Sequence, residues 1–502
     1  MEKNFLGKIL MLFLVISLLA VQPIAAYGAE EIEKDDSLRY IKSTMEMLKD
    51  IYRGEVSDRD LTEGALKGIF ESMDPYTSYL TKEEAKEYLT TISGVIEGIG
   101  ISTCISGNYV VVSKVFPDSP AEEAGMIPGD KIVSVDGKNV IGASIEEVSK
   151  YINGEFNVNL TIGLIRNGDT EIKLLSLLRR HVVINPVSYD IRGQIGYIKI
   201  DFFNSNTSTF LIQALNELDA KKINKIILDL RNNPGGEVEQ AVEVARKFVP
   251  EGLIVKLVYK SKKFVNREYY SYLKSPKYKL AVLVNEMSAS SSEILAGAIQ
   301  DTKAGVLIGS KTYGKARVQT IIPLLSPQAY LKYENMLGTS LVNSYDLIKK
   351  YNIVPTQDEI LGYANITTGY YYTPDGKMID ETGLTPDIQV EDSPIVDDLD
   401  LNEIQKLRMK SKLTLDGRSL DVYNAEKILK ICGYDVNNPD MVLDAKTFKA
   451  IEEFQRDRGL YPYGVLDYAT QNELNNRLGE LILKIDRQYA KAVEYLNAQE
   501  KN

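Results

Sequence analysis

Four serines crowd the run Asn285-Glu-Met-Ser-Ala-Ser-Ser-Ser-Glu293, and Gly314-Lys315 lies 25 residues beyond Ser290, with Gln319 behind it. A serine hydroxyl becomes a competent nucleophile only when a neighbouring base removes its proton. Imidazole is the usual base, yet the 502-residue chain holds a single histidine, His181, in the linker-like stretch after Arg179-Arg180. That setting reads as structural or solvent-exposed. A lysine amine is the base that remains, and it serves only where its surroundings favour the neutral form. Ser290 stands between the apolar run Leu280–Val284 and the helically spaced run Ser291–Ile299. A strand-to-helix junction is therefore expected, where the helix N-terminus favours developing negative charge. A serine cluster at a helix start also makes ordinary caps, so local physics does not rank Ser288, Ser290, Ser291 and Ser292. The turn Arg231-Asn-Asn-Pro-Gly-Gly236 supplies glycines that let backbone N–H groups approach a carbonyl. A plain tight turn is the alternative.

The elements that must position these residues follow from the hydrophobic pattern. Leu38, Ile41, Met45, Leu48 and Ile51 recur at helical spacing, as do Leu61, Ala65, Ile69 and Met73, up to the breaker Asp74-Pro75. From about Ile92 to Leu178 the chain changes to short strands, including Tyr109–Val112, Lys131–Val135 and Leu160–Leu164. Asp136-Gly137 and Asn167-Gly168 mark turns, and one helix is expected over Ser144–Tyr151. From Gly196 to about Val390 strands alternate with helices, which predicts an α/β core. Beyond Leu399 the chain turns helical, ending in one amphipathic helix with Leu478, Leu481, Ile482, Ile485, Tyr489, Val493 and Leu496 on a single stripe.

These segments, in this order, resemble the carboxy-terminal processing (tail-specific) proteases from Leu61 to Val390. The resemblance rests on Asp74-Pro-Tyr-Thr-Ser-Tyr-Leu80, Ile227-Leu-Asp-Leu-Arg-Asn-Asn-Pro-Gly-Gly236, Ser288-Ala-Ser-Ser-Ser-Glu-Ile294, Gly314-Lys-Ala-Arg-Val-Gln319, Tyr370-Tyr-Tyr-Thr-Pro-Asp-Gly376 and Gly383-Leu-Thr-Pro-Asp-Ile388. It implies Ser290 as nucleophile, Lys315 as base and Gln319 as the group holding the amine. The oxyanion donors it implies are the Ser291 amide and a glycine amide at Gly235 or Gly236. The β module resembles a PDZ domain, with Gly98-Ile99-Gly100-Ile101 as the loop whose amides capture a chain terminus. Ser119-Pro-Ala-Glu-Glu-Ala-Gly125 and Gly129–Gly137 support it. The C-terminal block resembles a helical peptidoglycan-binding module, through Ala425–Asp435, Thr447–Gln455 and Gly464-Val-Leu-Asp467.

Three departures from the family pattern stand out. Asn153 occupies a position where related proteases often carry arginine, Ala316 follows the lysine in place of glycine, and residues 326–359 look inserted. Surface decoration is the favoured reading of the insertion, a lid the other.

The implied organisation is multidomain α/β and β: a signal peptide (1–28), a helical N-terminal segment (29–91), a PDZ-like domain (92–180), an α/β serine protease core (181–396), a small all-α peptidoglycan-binding-like domain (397–480) and a C-terminal amphipathic helix (481–502). Lys3 and Lys8, the apolar stretch Ile9–Val21 and the small residues Ala25, Ala26, Gly28 and Ala29 have the order of a secretory signal. Export follows as the expectation, with an uncleaved membrane anchor as the alternative. A net charge of -11 argues against nucleic acid as partner. Cys104 and Cys432 with one histidine assemble no metal-ligand cluster, and no cofactor is implied. The expected activity is a serine endopeptidase acting on substrates held near their C-terminus, as a homodimer through the stripes Leu38–Ile51 and Leu478–Leu496. The rival is a wall-associated PDZ adaptor with a decayed protease core, against which retention of Ser290, Lys315, Gln319 and both glycines counts.

Overall fold

The computed structural model describes residues 34–154, 156–166, 171–339, 342–391 and 404–499. The signal-like stretch, the Asn167-Gly168 turn and the expected domain boundary at 396 lie outside them. No helix of the described residues is long and apolar enough to cross a membrane. Two compact units result, one up to Pro75 and one from Tyr76 onward.

The first unit is a pair of helices, α1 (Lys34–Ile51) and α2 (Asp58–Glu71). A reciprocal capping box between Ser57 and Asp60 starts α2, and Lys49 reaches Asp58 at 2.7 Å to join the two. The predicted stripe on α1 is exposed at Leu38, Ile41, Leu48 and Ile51.

The second unit opens with β1 (Ser78–Leu80) and α3 (Lys82–Ser93). Gly94 terminates α3 in a left-handed conformation with φ 65°. The β module follows: β2 (Val95–Gly98), β3 (Ile101–Ser106), β4 (Tyr109–Val115), α4 (Pro120–Glu123), β5 (Lys131–Val135), β6 (Lys138–Asn139), α5 (Ile145–Ile152), β7 (Asn159–Ile165), β8 (Lys173–Leu178) and β9 (Arg180–Val183). Its sheet runs β3-β4-β5-β7-β8, while β2 and β9 form a separate ribbon. The expected boundary at 180 therefore falls at the start of β9, a strand that belongs with the ribbon.

The core contains β10 (Val187–Arg192), β11 (Ile195–Ile200), α6 (Thr207–Ala220), β12 (Lys225–Asp229), α7 (Val238–Ala245), β13 (Gly252–Tyr259), β14 (Arg267–Ser271), β15 (Lys279–Val284), α8 (Ser291–Asp301), β16 (Val306–Gly309), β17 (Arg317–Leu325), α9 (Pro327–Leu337), α10 (Ser344–Lys350), β18 (Ile360–Tyr372) and β19 (Ile388–Gln389). One sheet has the order β10-β11-β12-β15-β16-β19, parallel except for β10. Its strands are apolar on both faces, as a doubly covered parallel sheet requires. Ile198, Ile226, Leu228, Leu280 and Val282 pack with α6, α7 and α8 on one face. Tyr197, Ile227, Ala281, Leu283 and Ile308 face the C-terminal helices on the other. A second, antiparallel sheet joins β1, β18, β13, β14 and β17.

The C-terminal helices are α11 (Leu420–Ile431), α12 (Ala445–Asp457), α13 (Tyr468–Ile485) and α14 (Arg487–Ala498). Here the structure corrects two expectations. The terminal stripe is two helices broken at Asp486, not one, and the expected boundary at 480 falls inside α13. The stripe is also spent within the chain: Leu478, Leu481, Ile482, Tyr489 and Leu496 are buried in one cluster with the parallel sheet. It is therefore not available as a dimer contact.

The 326–359 insertion forms α9 and α10 around a small cluster of Ala329, Tyr333 and Leu347. It is pinned to the β13–β14 connection by Lys263–Asp346 at 2.7 Å and by the Tyr345 ring, tilted against Phe264 at 5.1 Å between centroids.

Candidate active site

The serine run leaves β15 and turns sharply into α8, so the expected strand-to-helix junction is present. Ser290 sits at the turn with φ 56° and ψ -116°, a conformation rarely held by a residue with a Cβ. Its neighbours are differently employed. Ser288 Oγ donates to Leu230 O at 2.8 Å, Ser291 Oγ to Gly236 O at 2.8 Å and Ser292 Oγ to Asn233 O at 2.9 Å. All three are fully buried, while Ser290 is partly exposed. The hydroxyls around Ser290 thus sew the serine turn to the Leu230–Gly236 turn, and Ser290 is the one of the four presented to solvent.

The Leu230–Gly236 turn lies directly against it. A Cβ on Gly235 would meet Ser290 Cβ at 2.7 Å, and one on Gly236 would meet Phe203 O at 2.0 Å. Both have positive φ, 105° and 136°, so glycine is required for two reasons at each position. The Gly235 N–H donates to Asn233 Oδ1 at 2.9 Å. Among the described residues the N–H groups of Gly236 and Ser291 have no acceptor, which favours Gly236 over Gly235 as an amide open to a ligand.

The Gly314-Lys315 loop is fastened to Ser290 through two side chains. Glu293 is fully buried. Its Oε2 accepts from the N–H groups of Ser290 and Lys315, both at 2.9 Å, and its Oε1 accepts from Gly314 N at 2.7 Å and Thr312 Oγ1 at 2.6 Å. Burial raises the Glu293 pKa above the ordinary carboxylate value, against the pull of these donors. The Tyr371 hydroxyl bonds to Ser290 O at 3.1 Å and Lys315 O at 2.8 Å, and burial holds its pKa well above the usual phenol value. One carboxylate and one phenol thus join the two loops at both their N–H and C=O groups.

The Lys315 amine lies over the Tyr76 ring, 4.7 Å from its centroid, with the Arg317 guanidinium at 5.3 Å. Burial and a hydrogen bond with Tyr313 push the Tyr76 pKa up to about 12, so the ring stays neutral at ordinary pH. Gln319 is on β17 and donates from Nε2 to Thr367 Oγ1 at 3.4 Å. Ala316 is fully buried in the core cluster, and its N–H donates to Asp380 at 3.2 Å. Its extra methyl is accommodated.

Known proteins match these features in order. The peptidase family S41 profile covers residues 194–390, and a PDZ domain profile covers 111–166. A putative peptidoglycan binding domain profile covers 418–474, and the profile of the activating protease CtpB N-terminal domain covers 18–84. A probable CtpA-like serine protease of Staphylococcus epidermidis is 31% identical over 452 residues, which span 89% of this chain and 83% of that one. The chain belongs to the carboxy-terminal processing serine proteases of family S41. The carboxy-terminal processing protease CtpA of Bacillus subtilis is 29% identical over 470 residues, 93% of this chain and 91% of its own. Among solved structures, the photosystem II D1 C-terminal processing protease aligns at 29% identity over 70% of this chain and 86% of its own, with a TM-score of 0.38.

As an S41 serine peptidase with a PDZ domain, the chain places Gly98–Ile101 at the junction of β2 and β3, away from the serine turn in sequence and on a different sheet. His181 stands on β9 with an exposed side chain, stacked on Phe156 at 4.7 Å and 3.9 Å from Glu97. It has no part in the serine site. Sequence reasoning missed Tyr76, Tyr371 and Asp486. The first two lay inside quoted motifs, whose aromatic residues were signals without an assigned partner. Asp486 carried no motif at all.

Proposed function

We propose that this S41 peptidase is an exported endopeptidase in which Ser290 is the nucleophile, Lys315 its base and Gln319 the side chain that orients the amine. The observation that carries the reading is the assignment of hydroxyls around the serine turn: Ser288, Ser291 and Ser292 are consumed by carbonyls of the Leu230–Gly236 turn, and Ser290 is left beside the unengaged amides of Gly236 and Ser291. In the first step the neutral Lys315 amine takes the Ser290 proton as Oγ bonds to the scissile carbonyl carbon. The carbonyl oxygen becomes an anion, held by the Gly236 and Ser291 N–H groups. Collapse breaks the C–N bond, and Lys315 returns the proton to the leaving amine. Water then attacks the acyl-enzyme by the same proton route and restores Ser290. The PDZ loop Gly98-Ile99-Gly100-Ile101 holds the C-terminal end of the protein substrate by strand addition. The helical C-terminal module is assigned to the cell wall, with peptidoglycan as ligand, and the exposed α1 stripe to a homodimer contact.

Cleavage of an unfolded protein with an apolar C-terminus tests this. Wild type should cleave, and Ser290→Ala and Lys315→Ala should each lose activity by a factor of about 10⁴ or more. Retained cleavage in Ser290→Ala would overturn the assignment.

A further inference from the structure

The residues just ahead of β1 have no role so far, yet one of them lies on the base. Tyr76 is half-buried and its neighbour Thr77 is buried. Both are fastened to β18, which is flanked by β1 on one side and β17 on the other, since Asn365 pairs with Ser78 and with Ile321. Asn365 Nδ2 donates to Tyr76 O at 3.3 Å, and Thr367 N donates to Thr77 Oγ1 at 3.1 Å. Thr367 Oγ1 in turn accepts from Gln319 Nε2 at 3.4 Å. One residue of β18 thus holds the Tyr76 segment on one side and the Gln319 side chain on the other.

The far end of the ring is tied as well. The Tyr76 hydroxyl is hydrogen-bonded to Tyr313, in the loop that carries Lys315, and Tyr313 N donates to Ser288 O at 3.0 Å. With backbone and hydroxyl both held, the ring face is fixed in place, and Lys315 Nζ lies 4.7 Å from its centroid. A neutral phenol meets the amine with the electron-rich face of its π system and not with an anion. Arg317 shares the ring at 5.3 Å, but its charge is answered elsewhere, by Asp380 Oδ2 at 2.9 Å and Glu381 Oε1 at 2.8 Å. Glu293 meets Lys315 at its backbone N–H.

We propose that Tyr76 is a positioning residue of the peptidase, whose ring receives the ammonium that forms on Lys315 as Ser290 gives up its proton. The inference rests on Lys315 as the base. In the first step the Oγ–H bond breaks, an Nζ–H bond forms and a positive charge appears on Nζ against the ring. On collapse the proton passes to the leaving amine, and Nζ is neutral again. Cation–π attraction acts on the ammonium and not on the neutral amine. The ring therefore favours proton transfer, and it also sets the pH above which Lys315 is a neutral base in the resting enzyme.

The test keeps the shape of the ring and changes its face. Cleavage of an unfolded protein is followed from acid to alkaline pH with full-length wild type, Tyr76→Phe, and Tyr76→Phe whose ring bears one or three fluorines. Fluorine weakens the π face stepwise at nearly constant size. The midpoint of the ascending limb of kcat/KM reports the base in the free enzyme, and it should be the same in wild type and Tyr76→Phe. Fluorination should move it to lower pH, by about half a unit to one unit with three fluorines. Plateau kcat should fall about three- to tenfold across the series with KM unchanged, because only the charged state is weakened. The donors on Glu293 are Ser290, Thr312, Gly314 and Lys315, so a limb that moves with the ring is not its limb. A merely structural role for Tyr76 would leave the midpoint in place. A midpoint that stays or rises across the fluorine series, or a shift already complete in Tyr76→Phe, overturns the proposal and leaves Lys315 as the base. Lys315→Ala as active as wild type overturns both.

Discussion

Glu293 is the residue on which the geometry of the serine site turns. Four donors from two loops converge on its carboxylate, and hydrogen bonds to a charged acceptor are worth about 1.5–3 kcal/mol each. Glutamine has the same shape but presents an NH2 group where an oxygen accepts. Glu293→Gln should therefore lower kcat by about 10- to 100-fold with little change in KM. The pH dependence follows from the raised Glu293 pKa. Proton uptake removes one acceptor oxygen, so kcat should fall as pH drops through that value, starting above the ordinary carboxylate range. Stability runs the other way. A carboxyl whose folded pKa is raised favours folding while protonated, and that contribution is lost as pH rises through the folded pKa. Wild type should thus lose kcat on acidification before it loses Tm, and Glu293→Gln should remove the separation. A coincident fall of kcat and Tm in both proteins would refute this account. The sequence placed Glu293 in a motif but could not show its donors, since three of the four lie about twenty residues away. The same holds for Ser290. Its choice among four serines needed a family resemblance, because the carbonyls that occupy its neighbours belong to a turn more than fifty residues earlier.

At the scale of elements, the break between α13 and α14 shows what periodicity misses. The stripe from Leu478 to Leu496 is continuous in sequence, because both helices bury it against the same sheet. A buried charge stands at the break. Arg231, at the start of the turn bearing Gly235 and Gly236, is buried beside Asp229 and reaches Asp486 at 2.9 Å. Asp486 also caps α14 by accepting from Tyr489 N at 2.9 Å. Burial alone would raise the Asp229 pKa, but the Arg231 guanidinium outweighs it and holds the carboxyl below the usual value. The strands and most helices of the core were legible, because apolar runs bounded by turn residues determine them locally. An ion pair linking residues 231 and 486 is a product of the tertiary fold and leaves no local trace. Asp486→Ala leaves a buried guanidinium partly uncompensated, at a cost of about 3–5 kcal/mol. It should lower Tm measurably and reduce kcat through the displaced glycine turn. The double replacement Arg231→Met with Asp486→Leu should not recover Tm, because it leaves the buried Asp229 carboxylate without its cation. An unchanged Tm in Asp486→Ala would show that the pair is dispensable. The C-terminal helices are in this sense part of the peptidase, whatever their module binds.

Across the whole second unit, the PDZ module enters and leaves the core through one turn. On entry, Ser205 N donates to Ile92 O at 3.0 Å and Asn206 Nδ2 to Gly94 O at 2.9 Å. On exit, Ile184 N donates to Gly94 O at 2.8 Å and Asn204 Nδ2 to Ile184 O at 3.3 Å. Gly94 is packed so closely that a Cβ there would lie 2.6 Å from the amides of both Asn204 and Asn206. The Asn204–Asn206 turn in its other direction holds the glycine turn. Phe203 N donates to Gly235 O at 2.9 Å, Glu237 N to Phe203 O at 2.8 Å and Ser205 Oγ to Glu237 Oε1 at 2.7 Å. A shift of the PDZ module therefore bears on the turn of Gly235 and Gly236, which lies against Ser290 at Gly235, with no contact between module and serine required. Coupling of this kind is typically worth about 1–3 kcal/mol, or 5- to 150-fold in the response of one site to the other. Binding of a PDZ-directed peptide should change kcat on an unrelated short substrate by a factor in that range. Asn206→Ala cuts one strand of the link without touching the loop or the serine turn. It should move the factor toward one while the peptide's Kd stays at the wild-type value. Kinetics of both proteins across a peptide titration decide the matter: an undiminished factor in Asn206→Ala places the coupling elsewhere, and a changed Kd would mean that Asn206 supports the module itself rather than its link to the glycine turn.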